Sequence, residues 1–205
     1  MSVEAAVLIP TNSTWKYFKG VAAASMPDPS AWRAIAFDDS SWNAGAAPFY
    51  YDADTSASGY TGNTSLSDMR GGYTCIFLRK SFTLTSVSDV SELQLGALSD
   101  DGFIAWINGR EVARFNMPAG DVPFDGTSAP ALPEPVPFQN VALDSPADYL
   151  VPGTNVLAVQ ACNASLSGSV GPNFSGRRPE EMLSKQKASR YSLAGVTSRN
   201  STIDS

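Results

Sequence analysis

Asn108-Gly109, within "GFIAWINGREVARF" (102 to 115), constrains the local geometry of this chain more tightly than any other pair of residues. A two-residue type I′ turn needs φ > 0 at both central positions, and Asn-Gly is its preferred sequence. The pair predicts a β-hairpin with Ile107 opposite Arg110, Trp106 opposite Glu111, Ala105 opposite Val112, Ile104 opposite Ala113 and Phe103 opposite Arg114. The first strand is apolar on both faces. It belongs inside a sheet, with one face on the core and the other either covered or used as a binding surface.

The rest of the chain repeats the pattern. "STWKYF" (13 to 18), "CIFLRKSFTL" (75 to 84), "SELQLGAL" (91 to 98) and "NVLAVQAC" (155 to 162) are short runs rich in apolar, aromatic and β-branched residues, separated by Gly, Pro, Asn, Asp and Ser. No amphipathic helix occurs before residue 176. The expected class is all-β, an antiparallel β-sandwich. A chain of 205 residues suits one such domain, placed at 1–175 and followed by a tail at 176–205.

Charge separates the two parts. Residues 1–175 hold 8 Lys/Arg against 17 Asp/Glu, and residues 176–205 hold 6 against 3, for a net charge of −6. An acidic body lacks the basic footprint that nucleic acid requires. The tail reads as flexible, or as a docking segment for another protein subunit, and "RYSLAGV" within it could add an edge strand. No run approaches the roughly 20 apolar residues of a membrane span. The first residues carry no basic n-region. The expected location is extracellular or at the cell surface, with a leader removed or lying in another part of a larger protein.

Cys75 and Cys162 each sit in an apolar run. They read first as two buried free thiols and second as a disulfide, because spacing alone does not give pairing.

Two long connections, 47–73 and 118–140, interrupt the strands; loops of this length in compact domains often carry function. The first contains the candidate ligand-binding residues Tyr50, Tyr51, Asp52, Asp54 and Tyr60. An exposed tyrosine offers a ring face for sugar C–H groups together with a hydroxyl, and alternate acids in a loop can converge on a ligand or a metal. Trp15, Trp32, Trp42 and Trp106 read as packing residues, and Asp38 and Asp39 as turn caps. Asp100-Asp101, ahead of the hairpin, admits three readings: a turn bonded to its own backbone, a structural Ca²⁺ site, or a Ca²⁺ site that bridges to a ligand. The chain has no His, which removes Ser-His-Asp and Cys-His catalysis, and it carries no nucleophile elbow or nucleotide-binding glycine loop. A non-enzymatic role is expected, with a two-carboxylate glycosidase as the enzymatic alternative, since an acidic β-sandwich offers paired acids whose separation in space spacing does not give.

In order, "STWKYF", "AWRAIAFDDSSWNAGAAPF" (31 to 49), "FLRKSFTL", "LSDDGFIAWINGREVARFNMPAG" (98 to 120) and "DYLVPGTNVLAVQACN" (148 to 163) resemble the galactose-binding-like jelly-roll modules of large secreted bacterial proteins. They are similar also to the sugar-binding domain of family-two glycoside hydrolases. The resemblance implies a jelly-roll sandwich and a non-catalytic carbohydrate-binding module whose partner is a glycan or polysaccharide. The alternative is a structural, assembly or adhesion protein that uses the same fold for protein contacts. Relatives place an Asp-apolar strand after "NVLAVQ". Here "ASLSGSVGPNFSG" lacks that pattern, so either the closing strand lies later, near 190–197, or it is degenerate. Asp-Asp-Gly before an apolar strand also resembles the calcium-dependent lectin domains of yeast flocculins, which implies Ca²⁺ on Asp100 and Asp101 with Asn163 as a further oxygen ligand.

Overall fold

The computed structural model describes residues 5–51, 63–132, 138–167 and 189–199, the last as backbone. Among the described residues twelve strands follow in chain order: β1 (Ala5–Val7), β2 (Thr14–Lys19), β3 (Asn43–Ala46), β4 (Phe49–Tyr51), β5 (Thr64–Ser65), β6 (Cys75–Leu84), β7 (Glu92–Ser99), β8 (Gly102–Ile107), β9 (Arg110–Phe115), β10 (Gln139–Leu143), β11 (Gly153–Cys162) and β12 (Ser189–Arg199). One sheet has the order β10-β7-β12-β4-β5, with β1 also on β12; the other has the order β3-β2-β6-β11-β8-β9. Pairing is antiparallel throughout, except between β4 and β5. The all-β sandwich is therefore the observed class.

Side chains alternate across a strand with period two, and in the second sheet both faces are apolar. Ile76, Leu78, Phe103, Ala105, Ile107, Leu157, Val159 and Ala161 face the first sheet and form the main core with Trp15, Phe49, Leu93 and Leu95. Cys75, Phe77, Ile104, Trp106, Ala158 and Cys162 face the opposite way and form a second cluster with Ala24, Trp32, Trp42, Met117 and Val122. Residues 20–42 and 117–124 thus cover the outer face of the sheet. All four tryptophans are buried, as their apolar settings imply.

The hairpin keeps its expected turn, with Asn108 at φ 54 and Gly109 at φ 88, but not its full register. Ile107–Arg110 and Trp106–Glu111 pair as expected. Beyond an irregularity between Ala105 and Trp106, Ala105 pairs with Ala113, Ile104 with Arg114 and Phe103 with Phe115. Val112 is the extra residue of a β-bulge. The physical reason is packing. The bulge lets Val112, Ala113 and Phe115 all reach the main core, with the Phe115 ring 6.0 Å from that of Phe103. It also sets Glu111 and Arg114 on one outward face, where they form an ion pair at 2.7 Å.

Two further expectations are corrected. Cys75 and Cys162 are directly opposite on β6 and β11 and joined in a disulfide, not free thiols. Strand pairing, which spacing does not reveal, brings their Cα atoms to 4.1 Å. Residues 189–199 form a strand, and it is interior rather than an edge: β12 runs between β7 and β4. The closing strand therefore comes late in the chain. Among the described residues, no helix is long and apolar enough to cross a membrane.

Candidate functional site

The acids ahead of the hairpin sit where β7 turns into β8. Asp100 is buried. Asp101 ties three segments together: its Oδ2 accepts from Ala164 N at 2.6 Å, its Oδ1 accepts from Leu132 N at 3.3 Å, and its backbone oxygen accepts from Asn116 Nδ2 at 3.2 Å. Asn163, just past β11, donates through Nδ2 to the hydroxyl of Tyr51 at 3.1 Å. The fold thus brings Asp100, Asp101, Asn163 and Tyr51 to one end of the sandwich. As a Ca²⁺ site, this set is incomplete among the described residues. It offers two carboxylates and one amide where Ca²⁺ takes about 6 to 8 oxygens, and Asp101 is already bonded to backbone N–H groups. No group of three acids, His or Cys that could hold a metal occurs among the described residues.

Tyr51 departs from the exposed role expected of it. It ends β4 with its side chain buried in the main core, because β4 lies against β12 within the sheet rather than in a loop. Tyr50, beside it, is half-buried. Asp52, Asp54 and Tyr60 lie outside the described residues. Asp38 caps a turn as expected, accepting from Ser40 N at 2.9 Å; that backbone bond, and then the Ser40 hydroxyl, hold its carboxyl below the usual range. Asp39 pairs instead with the buried Arg79.

A more structured feature lies on the outer face of the second sheet. The covering segment is fixed locally: Asp28 Oδ1 accepts from the N–H and the hydroxyl of Ser30, while Ser25 Oγ donates to Asp28 O and accepts from Trp32 N. The hydroxyl of Ser30, then its N–H, lower the Asp28 carboxyl from its ordinary value. These bonds seat a 3₁₀ turn, Ala31–Arg33, so that Trp32 packs edge-on against Phe77 and Trp106 at 5.0 and 5.5 Å. The Arg33 guanidinium lies 4.1 Å from the Trp106 ring centre, and its Nη1 meets Asp121 at 2.8 Å.

Between this turn and residues 121–124 lies a cleft of about 230 Å³, whose lining includes Trp32, Arg33, Phe77, Val122, Phe124 and Gln160. Gln160 is fully buried on β11. Its Nε2 donates to Val122 O and Pro123 O at 3.1 and 3.2 Å, which fixes the amide orientation. Its Oε1 has no hydrogen-bond partner among the described residues, and neither does Arg33 Nε. A buried polar group left unpaired costs about 1–3 kcal/mol, and native structures contain few. Two residues of the cleft lining thus each carry a buried polar atom, one an acceptor and one a donor, without a partner among the described residues. Sequence reasoning missed both residues. The signal for Gln160 was a lone amide inside the apolar run "NVLAVQAC"; Arg33 gave none.

No protein-family model and no curated protein matches the chain. Solved structures do. The chain is similar to Bacteroides uniformis β-glucuronidase 2, at 16% identity and a TM-score of 0.53, over 96% of this chain and 18% of that one. It is similar also to a β-glucuronidase of glycoside hydrolase family 2, at 17% identity and a TM-score of 0.50, over 96% of this chain and 18% of that one. At such identity the likeness is one of fold. The sandwich fits a domain of those enzymes, and this chain spans about a fifth of their length.

Proposed function

We propose that this chain is a non-catalytic carbohydrate-binding module of jelly-roll type, acting as one part of a larger carbohydrate-active protein. The observation that carries the reading is the correspondence of nearly the whole chain with a single domain-sized portion of two β-glucuronidases. Chemistry supports the non-catalytic part. The chain has no His, and the acids Asp28, Asp38, Asp39, Asp68 and Asp101 are engaged by hydroxyls, backbone N–H groups or cations. The disulfide supports an oxidising, extracellular setting.

The sheet-end cluster of Asp100, Asp101 and Asn163 acts in this reading as a brace, and binding proceeds without calcium. Per-site affinity is weak, and attachment to the rest of the protein supplies the effective concentration. Affinity electrophoresis and a glycan array, each run with Ca²⁺ and with chelator, test the proposal. Retention by at least one glycan, unchanged by chelator, is the expected result. Failure to bind any glycan rejects the module reading, and binding abolished by chelator rejects the brace.

A further inference from the structure

We propose that the cleft between the Trp32 turn and residues 121–124 binds a single pyranose ring, one hydroxyl donating to Gln160 Oε1 and one ring or hydroxyl oxygen accepting from Arg33 Nε. This rests on the carbohydrate reading above and names its site and the size of its ligand.

The lining sets the chemistry. Trp32, Phe77, Val122 and Phe124 give an apolar, aromatic wall, and the unmet atoms are one amide acceptor and one guanidinium N–H donor. A sugar ring presents that combination, with C–H faces for the aromatics and hydroxyls that both donate and accept. An anionic group does not match the free atom of Gln160, which is itself an acceptor. Size excludes an extended peptide or a chain of sugars lying wholly within. The volume of about 230 Å³ falls below the roughly 300–1,000 Å³ of drug-sized pockets.

Access runs past the 121–124 segment. Gln160 is fully buried beneath Val122 and Pro123, so engaging its Oε1 requires that segment to lift. The tie on its outer side is the Arg33–Asp121 ion pair, with Asp121 76% exposed. A pair so wet on one side holds weakly. The rim adds Ala23 and Pro29, with the exposed Val21 and Met26 in the same covering segment.

Tryptophan emission reads the site, because Trp32 lines the cleft and Trp106 packs against it. The full chain is titrated with the methyl β-glycosides of glucose, galactose and glucuronic acid, alongside Gln160→Leu, which removes the acceptor, and Ala23→Phe, which fills the rim without adding a tryptophan. The expected result is an emission change with at least one glycoside, weakened about tenfold in Gln160→Leu and abolished in Ala23→Phe. If Gln160→Leu fails to fold, Ala23→Phe decides, since it leaves the buried amide untouched. Glycan binding that persists unchanged in the folded variants overturns the cleft assignment and leaves the carbohydrate reading standing at another surface. Absence of binding to any glycan overturns both.

Discussion

Arg79 on β6 and Asp39 in the covering segment meet at 2.7 Å, Nε to Oδ2, with the arginine side chain only 3% exposed. The same guanidinium donates to the backbone oxygens of Trp32, Ala34 and Phe37. One buried cation thus gathers the chain carrying the cleft's wall onto the sheet. Arg79→Met leaves a carboxylate and three carbonyls without their donor. Its unfolding free energy in urea is expected to fall by about 3–5 kcal/mol, with a red-shifted tryptophan emission as Trp32 and Trp42 loosen. A loss below about 1 kcal/mol would show that the apolar cluster alone holds the segment.

The Cys75–Cys162 bridge closes a loop with a sequence separation of 87. Loop-closure entropy for that length corresponds to about 4–5 kcal/mol, which in a domain of this size is roughly 10 °C or more in melting temperature. The Cys75→Ser/Cys162→Ser double variant is expected to melt lower by that order. Reductant should lower the wild-type transition and leave the variant unchanged.

Tyr149 is packed in the main core, and its hydroxyl has no hydrogen-bond partner among the described residues. Burial pushes the phenol up to about 12, against the opposing pull of Arg110. Between its ordinary value near 10 and about 12, the unfolded chain has lost this proton while the folded chain keeps it. The contribution to stability is therefore complete below pH 10 and declines as pH rises toward 12. Tyr149→Phe is expected to be as stable as wild type or up to about 1 kcal/mol more stable at pH 7. It should also lose less stability between pH 10 and 12 in parallel denaturation series.

Asp101 joins the β7–β8 turn to Ala164 and Leu132. Asp101→Ala removes both side-chain acceptors and is expected to destabilise by about 1–3 kcal/mol. Calcium added to the wild type should leave the melting temperature unchanged. A calcium-dependent rise that disappears in Asp101→Ala would instead make the cluster a metal site.

What could be read in advance followed the range of each interaction. Asp38 capping its own turn, the buried tryptophans and the acids placed before β8 are set by neighbours in the chain, and the motif order pointed to the sandwich. The cleft could not be read. Gln160, Arg33 and Val122 are brought together by strand pairing and by two crossing segments, and no local pattern encodes which amide will be left unpaired. Tyr51 failed for the same reason: an aromatic in a loop-like stretch is exposed or buried according to whether a distant strand pairs beside it. That strand is β12.

The hairpin marks the division. Asn108-Gly109 by itself determined the turn, because only residues that tolerate φ > 0 close a two-residue hairpin, and with it the first two pairs of the register. Only the tertiary structure decided that Val112 would bulge, since the gain comes from seating Phe115 against Phe103 in a core assembled by the other sheet. Turn geometry is a property of two residues; the register beyond it, the disulfide and the cleft depend on contacts the chain makes with parts of itself far away.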